Sequence, residues 1–333
     1  MQEQTEESQP AEQPAPPILT ILCRSEYIPE ALVADFTAQT GITVVTADPA
    51  DYPDLTAADG SYDLALVDSL WLPLLIDEGA LAEIDRPAIP NSAAISQPFS
   101  AVPFDPDGTF CIPFLWGTFG IVVNRSVVTD TNIEWEILFD HRFSGKIDMP
   151  DDVRLPLEAA LRSLGASLGE ADTDALNRAT DLLYEQRKTV RGYFQIPEII
   201  DHLAEGSSYI SCIDNPSAFL AIKSNSALEY IVPASGAPLW LLVWVIPATS
   251  ENPGDARSFI DFFLAPGRIA AVSNANRVAN AIVDSRPYLD DTLINTAMII
   301  LSDDMLARCR LPEPIDLETE NLMMRLRDDF MFK

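Results

Sequence analysis

Lysine is scarce in this chain. Only Lys146, Lys188, Lys223 and Lys333 occur among 333 residues, against 51 aspartates and glutamates. With a formal net charge of -30 the chain would repel the phosphates of a nucleic acid. Histidine is scarcer still. His141 and His202 each sit among polar residues without a partner histidine, which removes a histidine-based metal site. The four cysteines lie far apart with neither CxxC nor zinc spacing. Cys23, Cys111 and Cys212 fall in apolar runs, where a free thiol packs as a small hydrophobe, and Cys309 lies apart; the sequence leaves their pairing open. No apolar run reaches membrane-spanning length, since the stretch VPASGAPLWLLVWVIPA is broken by proline and glycine. P-loop, GxGxxG, GxSxG, HExxH and EF-hand patterns are all missing, and no histidine is placed to serve a serine or cysteine nucleophile. An enzyme therefore has no specific support.

What is there is an ordinary globular balance, 47% hydrophobic and 22% charged. The length exceeds one typical compact core, so two lobes are expected. The acidic surface would attract a cationic ligand at long range, and it is equally compatible with simple solubility or a saline habitat. Residues 1–17, MQEQTEESQPAEQPAPP, are polar, acidic and proline-rich, and read as a disordered tether. They contain no basic segment followed by an apolar one, so no signal peptide is expected in the sequence as written. Two explanations fit: a cytoplasmic protein, or an exported lipoprotein whose leader has been removed. A polar Pro/Glu/Gln segment ahead of a folded domain is the spacer a surface-anchored lipoprotein needs, which favours the second.

The first ordered stretch, residues 18–45, reads strand, loop, helix, strand. Residues 18–22 form a compact apolar run, Pro29 suits a first helical turn, and Leu32, Val33 and Phe36 share a helical face. Gly41 stops the helix. In open α/β sheets ligands bind beyond the carboxyl ends of strands, which makes the loop from Arg24 to Tyr27 a candidate site wall. Asp68 and Ser69 follow a second short strand, residues 63–67. Asp151 and Asp152 follow a third, residues 147–149, and serve equally well as caps of the helix expected from Pro156. Asp214 ends a fourth, residues 209–213. Two apolar segments interrupted by glycine, around Gly117 and from Gly236 to Pro247, look like strand crossovers between lobes. Trp240 and Trp244 lie in the second, and at least one belongs to the core. Further helices are expected over residues 133–139, 174–187, 196–205, 256–264, 266–274, 293–301, 304–310 and 317–330. Strands alternating with helices, two crossovers and loops converging on one cleft describe an α/β clamshell binder that closes by hinge motion.

The stretches SEYIPEALVADFTAQTGITV, YDLALVDS, PFDPDGTFCIPFLWGTFGIVVN and NPSAFLA, in this order and spacing, resemble the periplasmic spermidine/putrescine-binding proteins. The likeness runs from about residue 18 to 330. It implies a type II periplasmic-binding fold, a permease and an ATPase as partners, no cofactor, and a monomer. It also implies a division into a tether (1–17), a first lobe (18–118 plus 244–283) and a second lobe (119–243 plus 284–333). The location implied is periplasmic or extracellular, anchored to the membrane as a lipoprotein.

Such proteins hold the methylene chain of a polyamine between aromatic rings and its ammonium groups on carboxylates, as a flexible apolar rod with cationic ends requires. Ser25, Glu26, Tyr27, Asp152 and Trp240 match the family's site. Other positions depart. Arg24, Leu70, Asp214 and Arg277 stand where aromatic residues are usual, Leu155 and Leu242 replace two carboxylates, and Asp68 replaces a small hydroxyl residue. The implied ligand set is thus Arg24, Ser25, Tyr27, Asp68, Ser69, Asp152, Asp214, Trp240 and Arg277. Two arginines in a polycation site would repel the ligand, whereas arginine grips carboxylates bidentately. The expected ligand is therefore either a polyamine, with Arg24 and Arg277 neutralised by Asp68 and Asp214, or a zwitterionic amine. A receptor for an amino acid or other carboxylate-bearing ligand, a ferric-ion binder and a degenerate sensor are the alternatives. The ferric-ion binder is disfavoured because no two tyrosines are adjacent.

Overall fold

The computed structural model describes residues 16–49, 54–56 and 62–331. Most of the expected tether, residues 1–15, lies outside them. Ten strands run in chain order: β1 (Ile18–Leu22), β2 (Thr43–Ala47), β3 (Leu64–Asp68), β4 (Cys111–Asn124), β5 (Ile147–Pro150), β6 (Gly192–Phe194), β7 (Ile210–Asp214), β8 (Leu228–Ile231), β9 (Leu239–Val245) and β10 (Ala279–Asn280). The helices are α1 (Glu30–Thr40), α2 (Leu72–Asp77), α3 (Arg154–Ser163), α4 (Thr173–Gln186), α5 (Ile196–Glu205), α6 (Asn215–Ser224), α7 (Pro253–Leu264), α8 (Pro266–Asn276), α9 (Asp291–Ile294), α10 (Asp303–Leu306) and α11 (Leu317–Met331). Among the described residues no helix is long and apolar enough to cross a membrane.

The strands form one mixed sheet in the order β2-β1-β3-β9-β4-β7-β5-β6, with β10 and β8 also on β4. β4 is the spine. Its first part, Cys111 to Thr118, runs antiparallel to β9, with an irregularity between Pro113 and Leu115. From Phe119 to Val123 it pairs instead with β7, and its end also pairs with β8. The partner change falls between Thr118 and Phe119, so one fourteen-residue strand belongs to both halves of the sheet. β9 pairs with β3 and with the first part of β4 along its length, which ties the return segment to the first half.

Each half has its own packing. In the first, α1, α7 and α8 cover β1, β3 and β9. Phe36, Phe114, Trp244, Phe259 and Phe263 are fully buried there, and Phe259 stacks on Phe263 at 4.4 Å between ring centroids. Such aromatic pairs add about 0.5–1.5 kcal/mol to the burial of their area. In the second, α5 and α6 lie on β7 and β8, while α3, α4 and α11 pack through Leu157, Leu161, Leu176, Leu183 and Leu326. The buried Asp148 of β5 accepts from Arg191 Nη1 at 3.2 Å and pairs with His202 Nδ1 at 2.7 Å, fastening β5 to the neighbouring β6–α5 segment.

All four cysteines are buried and unpaired. Burial pushes the Cys23 thiol up to about 12, which leaves it protonated and inert. Three expected helices are shorter or different. Residues 133–139 contain only a 3-10 turn, Trp135–Phe139. The segment expected over 293–301 is reduced to α9, capped by Asp290, and that over 304–310 to α10, capped by Ser302. Asp290 and Ser302 each satisfy the first turn of a short helix with a side-chain oxygen. Leu306 and Cys309 turn inward onto the interlobe core, so burial and not periodicity sets the path.

Candidate functional site

Three strand ends carry the acidic residues of the site. β3 ends in Asp68, whose Oδ1 accepts from Leu70 N at 2.9 Å and caps the turn Ser69–Trp71. Desolvation pushes the Asp68 carboxyl up to about 6; the Leu70 hydrogen bond and Arg154 oppose the rise and Asp152 adds to it. Beyond β5, Asp152 Oδ1 accepts from Arg154 N at 2.6 Å. Solvent reaches Asp152 inside the cleft, but protein stands on either side of it, and this desolvation raises its carboxyl. β7 ends in Asp214, which caps α6 by accepting from Ser217 N at 2.9 Å and Ser217 Oγ at 2.7 Å. Its carboxyl is likewise raised by desolvation. In β4 the residue paired with Asp214 is Phe119.

A cavity of about 100 Å³ is lined by Asp68, Leu70, Phe119, Asp152, Arg154, Leu155, Leu168, Leu239, Trp240 and Leu311, and by the further charged residues Glu158, Arg162, Glu170, Arg310 and Glu313; Asp214 does not line it. Phe119, Leu239 and Trp240 of this lining lie where β4 passes from one half of the sheet to the other. The Trp240 ring packs against Gly117, and its Nε1 is buried without a hydrogen-bond partner. Tyr27 is half-buried. Its phenol is raised first by desolvation and then by Glu26, with smaller upward contributions from Asp214 and Asp68. Tyr27 therefore stands within the electrostatic reach of two of the three carboxylates. Ser69 is fully buried, and its Oγ lacks a partner.

The other residues implied by sequence lie elsewhere. Arg24 and Ser25 are exposed at the rim, and the Arg24 guanidinium is 3.8 Å from Glu26. Arg277 caps α8 in the left-handed conformation (φ 56°), and its Nη1 donates to Asp290 at 3.2 Å and Thr292 at 3.1 Å. Neither arginine lines the cavity, and neither pairs with Asp68 or Asp214. The case for a zwitterionic ligand that rested on these two side chains thus loses its basis.

The cavity instead contains a guanidinium that sequence reasoning passed over. Arg154 opens α3, two residues after Asp152. Desolvation lowers its affinity for its proton, while Glu158, Asp152 and Asp68 hold it up. Its guanidinium makes no hydrogen bond and no ion pair within 4 Å to the described residues. One turn on, Glu158 and Arg162 form a buried pair at 2.6 Å, and the second Glu158 oxygen accepts from Leu168 N at 2.8 Å. The signal was the spacing of 154, 158 and 162 at i, i+4, which puts three charges on one face of a helix whose other residues are mostly apolar. Among the described residues no group of three or more histidine, cysteine, aspartate or glutamate side chains could hold a metal ion.

The pattern of the family described as "Bacterial extracellular solute-binding protein" matches residues 31–287. A protein of Escherichia coli described as "Spermidine/putrescine-binding periplasmic protein" is 29% identical over 248 residues, covering 73% of this chain and 71% of the relative. A "Putrescine/agmatine-binding protein" of Pseudomonas aeruginosa is 25% identical over 316 residues, covering 87% and 85%. Among solved structures, the spermidine/putrescine ABC transporter substrate-binding protein PotD of Streptococcus pneumoniae superimposes with a TM-score of 0.87 at 25% identity, covering 95% of this chain and 99% of that one. The mixed sheet, with β4 running through both halves and β9 returning to the first, is thus a periplasmic-binding-protein fold, and the chain belongs to the bacterial extracellular solute-binding proteins.

Proposed function

We propose that this chain is the receptor of a polyamine-type ABC importer. It binds a small cationic amine between the lobes, closes by hinge motion about β4 and β9, and presents the ligand to a membrane permease. The single observation that carries this reading is the pair of desolvated carboxylates, Asp68 and Asp152, that line a cavity together with leucines, Phe119 and Trp240, with a third desolvated carboxylate, Asp214, on the β7 residue paired with Phe119. Carboxylates raised by burial are destabilised as anions, and an ammonium group arriving beside them relieves that cost. The leucine and aromatic walls suit the methylene chain between the ammonium groups. The named ligands of the E. coli and P. aeruginosa relatives are cations of this kind.

The lobes in this reading follow the expected division, 18–118 plus 244–283 and 119–243 plus 284–333, except that residues 239–243 are assigned to the first lobe because β9 pairs with β3 and the first part of β4. Tyr27 and Ser69 complete the ligand set around Asp68, Asp152, Asp214 and Trp240. The protein works outside the cytoplasm as a monomer, held to the membrane through its N-terminal tether, and uses no cofactor. Calorimetric titration with putrescine and spermidine tests the reading. Saturable binding that Asp68→Asn weakens at least about tenfold supports it. No heat and no rise in melting temperature with either amine would sink it.

A further inference from the structure

Three segments carry the chain between the two halves of the sheet, and they meet around one buried side chain. The first is β4 itself, at Thr118 and Phe119. The second, residues 232–238, joins β8 to β9, and Pro238 O accepts from Phe119 N at 2.9 Å. The third leaves the first half at Asp290, which is bonded to Asn274 of α8 and to Arg277, the cap of that helix. It reaches the second half at Met298, which packs on the core beneath α5 and α6. Asn215 stands between the first crossing and the third. It is buried, its Oδ1 accepts from Thr118 N at 3.0 Å, and its Nδ2 donates to Met298 O at 3.2 Å. Each end of the amide faces a complementary backbone group, which fixes its orientation. The helix that Asn215 opens does not need this side chain, because Asp214 already caps α6 through Ser217 N. Nor does Asn215 line the ligand cavity.

We infer that Asn215 is a positioning residue for ligand binding: it clamps the crossing at Thr118 to the crossing at Met298, so that the two halves close about one shared hinge. This rests on the reading of the chain as a cleft receptor and adds to it. Asp68 and Trp240 belong to the first half and Asp152 follows β5 of the second, so the cavity they line depends on how the halves are placed. Three crossings that flexed separately would let the halves sample many placements. A ligand would then meet the binding-competent one less often, and its apparent affinity falls in proportion to that fraction. A bond between two crossings narrows the range without touching the ligand. Tyr230 does not supply this link. Its hydroxyl donates to Thr118 O at 2.9 Å and lies 2.7 Å from Thr118 Oγ1, which ties Thr118 to β8 and not to the third crossing. Gly117 serves the same point as Asn215, because a β-carbon there would stand 2.2 Å from Asn215 Oδ1 and push the amide off Thr118 N.

The test combines putrescine titration, dissociation kinetics and small-angle X-ray scattering with and without putrescine. It uses the whole chain, native and as Asn215→Ala, Asn215→Asp and Asn252→Ala. Asn252 is the control. It precedes α7, and its Nδ2 donates at 3.1 Å to Asp63, which lies before β3 at the end opposite Asp68. The native protein binds putrescine and becomes more compact. Asn215→Ala weakens binding by about tenfold, chiefly through faster dissociation, and compacts incompletely at saturating putrescine. Asn215→Asp keeps an acceptor for Thr118 N and loses the donor to Met298 O. It shows the same pattern, and it decides the matter if Asn215→Ala does not fold. Asn252→Ala lowers the denaturation midpoint yet binds and compacts as the native protein does. Two results overturn the inference alone: native affinity and full compaction in a folded Asn215 variant, or a loss of affinity in Asn252→Ala as large as in the Asn215 variants, which would make the effect one of general stability. If neither putrescine nor spermidine binds the native protein, the receptor reading falls first and this inference with it.

Discussion

Gly117 and Trp240 are so closely packed that a β-carbon on residue 117 would stand 2.5 Å from the indole ring. The same β-carbon would meet Asn215 Oδ1 at 2.2 Å, and that oxygen accepts from Thr118 N at the point where β4 changes partners. The glycine is therefore required by space and not by backbone conformation. It lets the tryptophan of β9 lie on the crossing strand and form a wall of the cavity. Gly117→Ala should displace the indole, cost about 1–3 kcal/mol of stability, and weaken amine binding in parallel. Urea denaturation followed by tryptophan fluorescence, with titration of the folded protein, measures both. Gly254→Ala in α7 is the control. Its β-carbon meets nothing within 4 Å, so stability should be unchanged or slightly raised. Equal loss in the two variants would contradict the packing argument.

Asp68 gives the cleft a pH dependence whose sign can be worked out. Its folded carboxyl titrates at about 6, above the ordinary carboxylate value, because desolvation disfavours the anion. The folded state therefore binds this proton more tightly than the unfolded chain. Asp68's contribution to stability is greatest below the unfolded value and is lost as the pH rises through about 6. Binding of a cation runs the other way: it needs the anion, so affinity should fall as the pH drops through 6. Asp68→Asn keeps an oxygen to cap Leu70 N and removes the buried charge. The ligand-free variant at pH 7.5 should be more stable than the native protein by the order of 1 kcal/mol, while binding amines more weakly. Melting curves and titrations between pH 5 and pH 8, a range chosen about that value, check both halves. A variant that is both less stable and pH-independent would mean that Asp68 is mainly a cap.

The positions of these carboxylates were legible because they follow from strand direction. Asp68, Asp152 and Asp214 each come at or just after the carboxyl end of a short apolar strand, and in a sheet of this kind those ends converge. The crossover at Gly117 was legible for a similar reason, as small residues interrupt a long β segment. The facing of individual arginines was not. Arg24 lies directly before a 3-10 turn, where a side chain's direction depends on turn geometry rather than on a period of two, and it points to solvent. Arg277 lies at a helix end, where its left-handed backbone aims it at Asp290 and Thr292. Arg154 resembled one more charge at the start of a helix. Only the fold of the second half brings it against Asp68 of the first, from a position 86 residues away in sequence.

The placement of Arg24 and Arg277 has a direct consequence for binding. Both have partners outside the cavity, Glu26 at 3.8 Å and Asp290 at 3.2 Å, and neither contributes to its lining. Arg24→Ala and Arg277→Ala should each change amine affinity less than about twofold, within the range of screened surface charges. Titration at about 0.15 M salt is the measurement. A loss approaching that of Asp68→Asn in either variant would place that arginine in the ligand site after closure.

The Glu158–Arg162 pair separates the support of the cavity from its ligand groups. Both side chains are about nine-tenths buried, and Glu158 also accepts from Leu168 N, so the pair joins α3 to the loop before α4 that walls the cavity. Removing one partner strands the other as an unpaired buried charge, which typically costs about 3–5 kcal/mol. Glu158→Ala should therefore be severely destabilising. The double change of Glu158→Leu with Arg162→Met should recover most of the loss, because apolar groups of similar volume carry no desolvation penalty, although Leu168 N remains without an acceptor. Its cost, about 1–3 kcal/mol, is what the double variant should still lack. Denaturant titrations of the two single variants and the double variant give the coupling energy directly. If Glu158→Ala costs less than about 1 kcal/mol, water reaches Arg162 and the pair is not a structural support. In that case the wall formed by residues 167–170 is held by α3 packing alone.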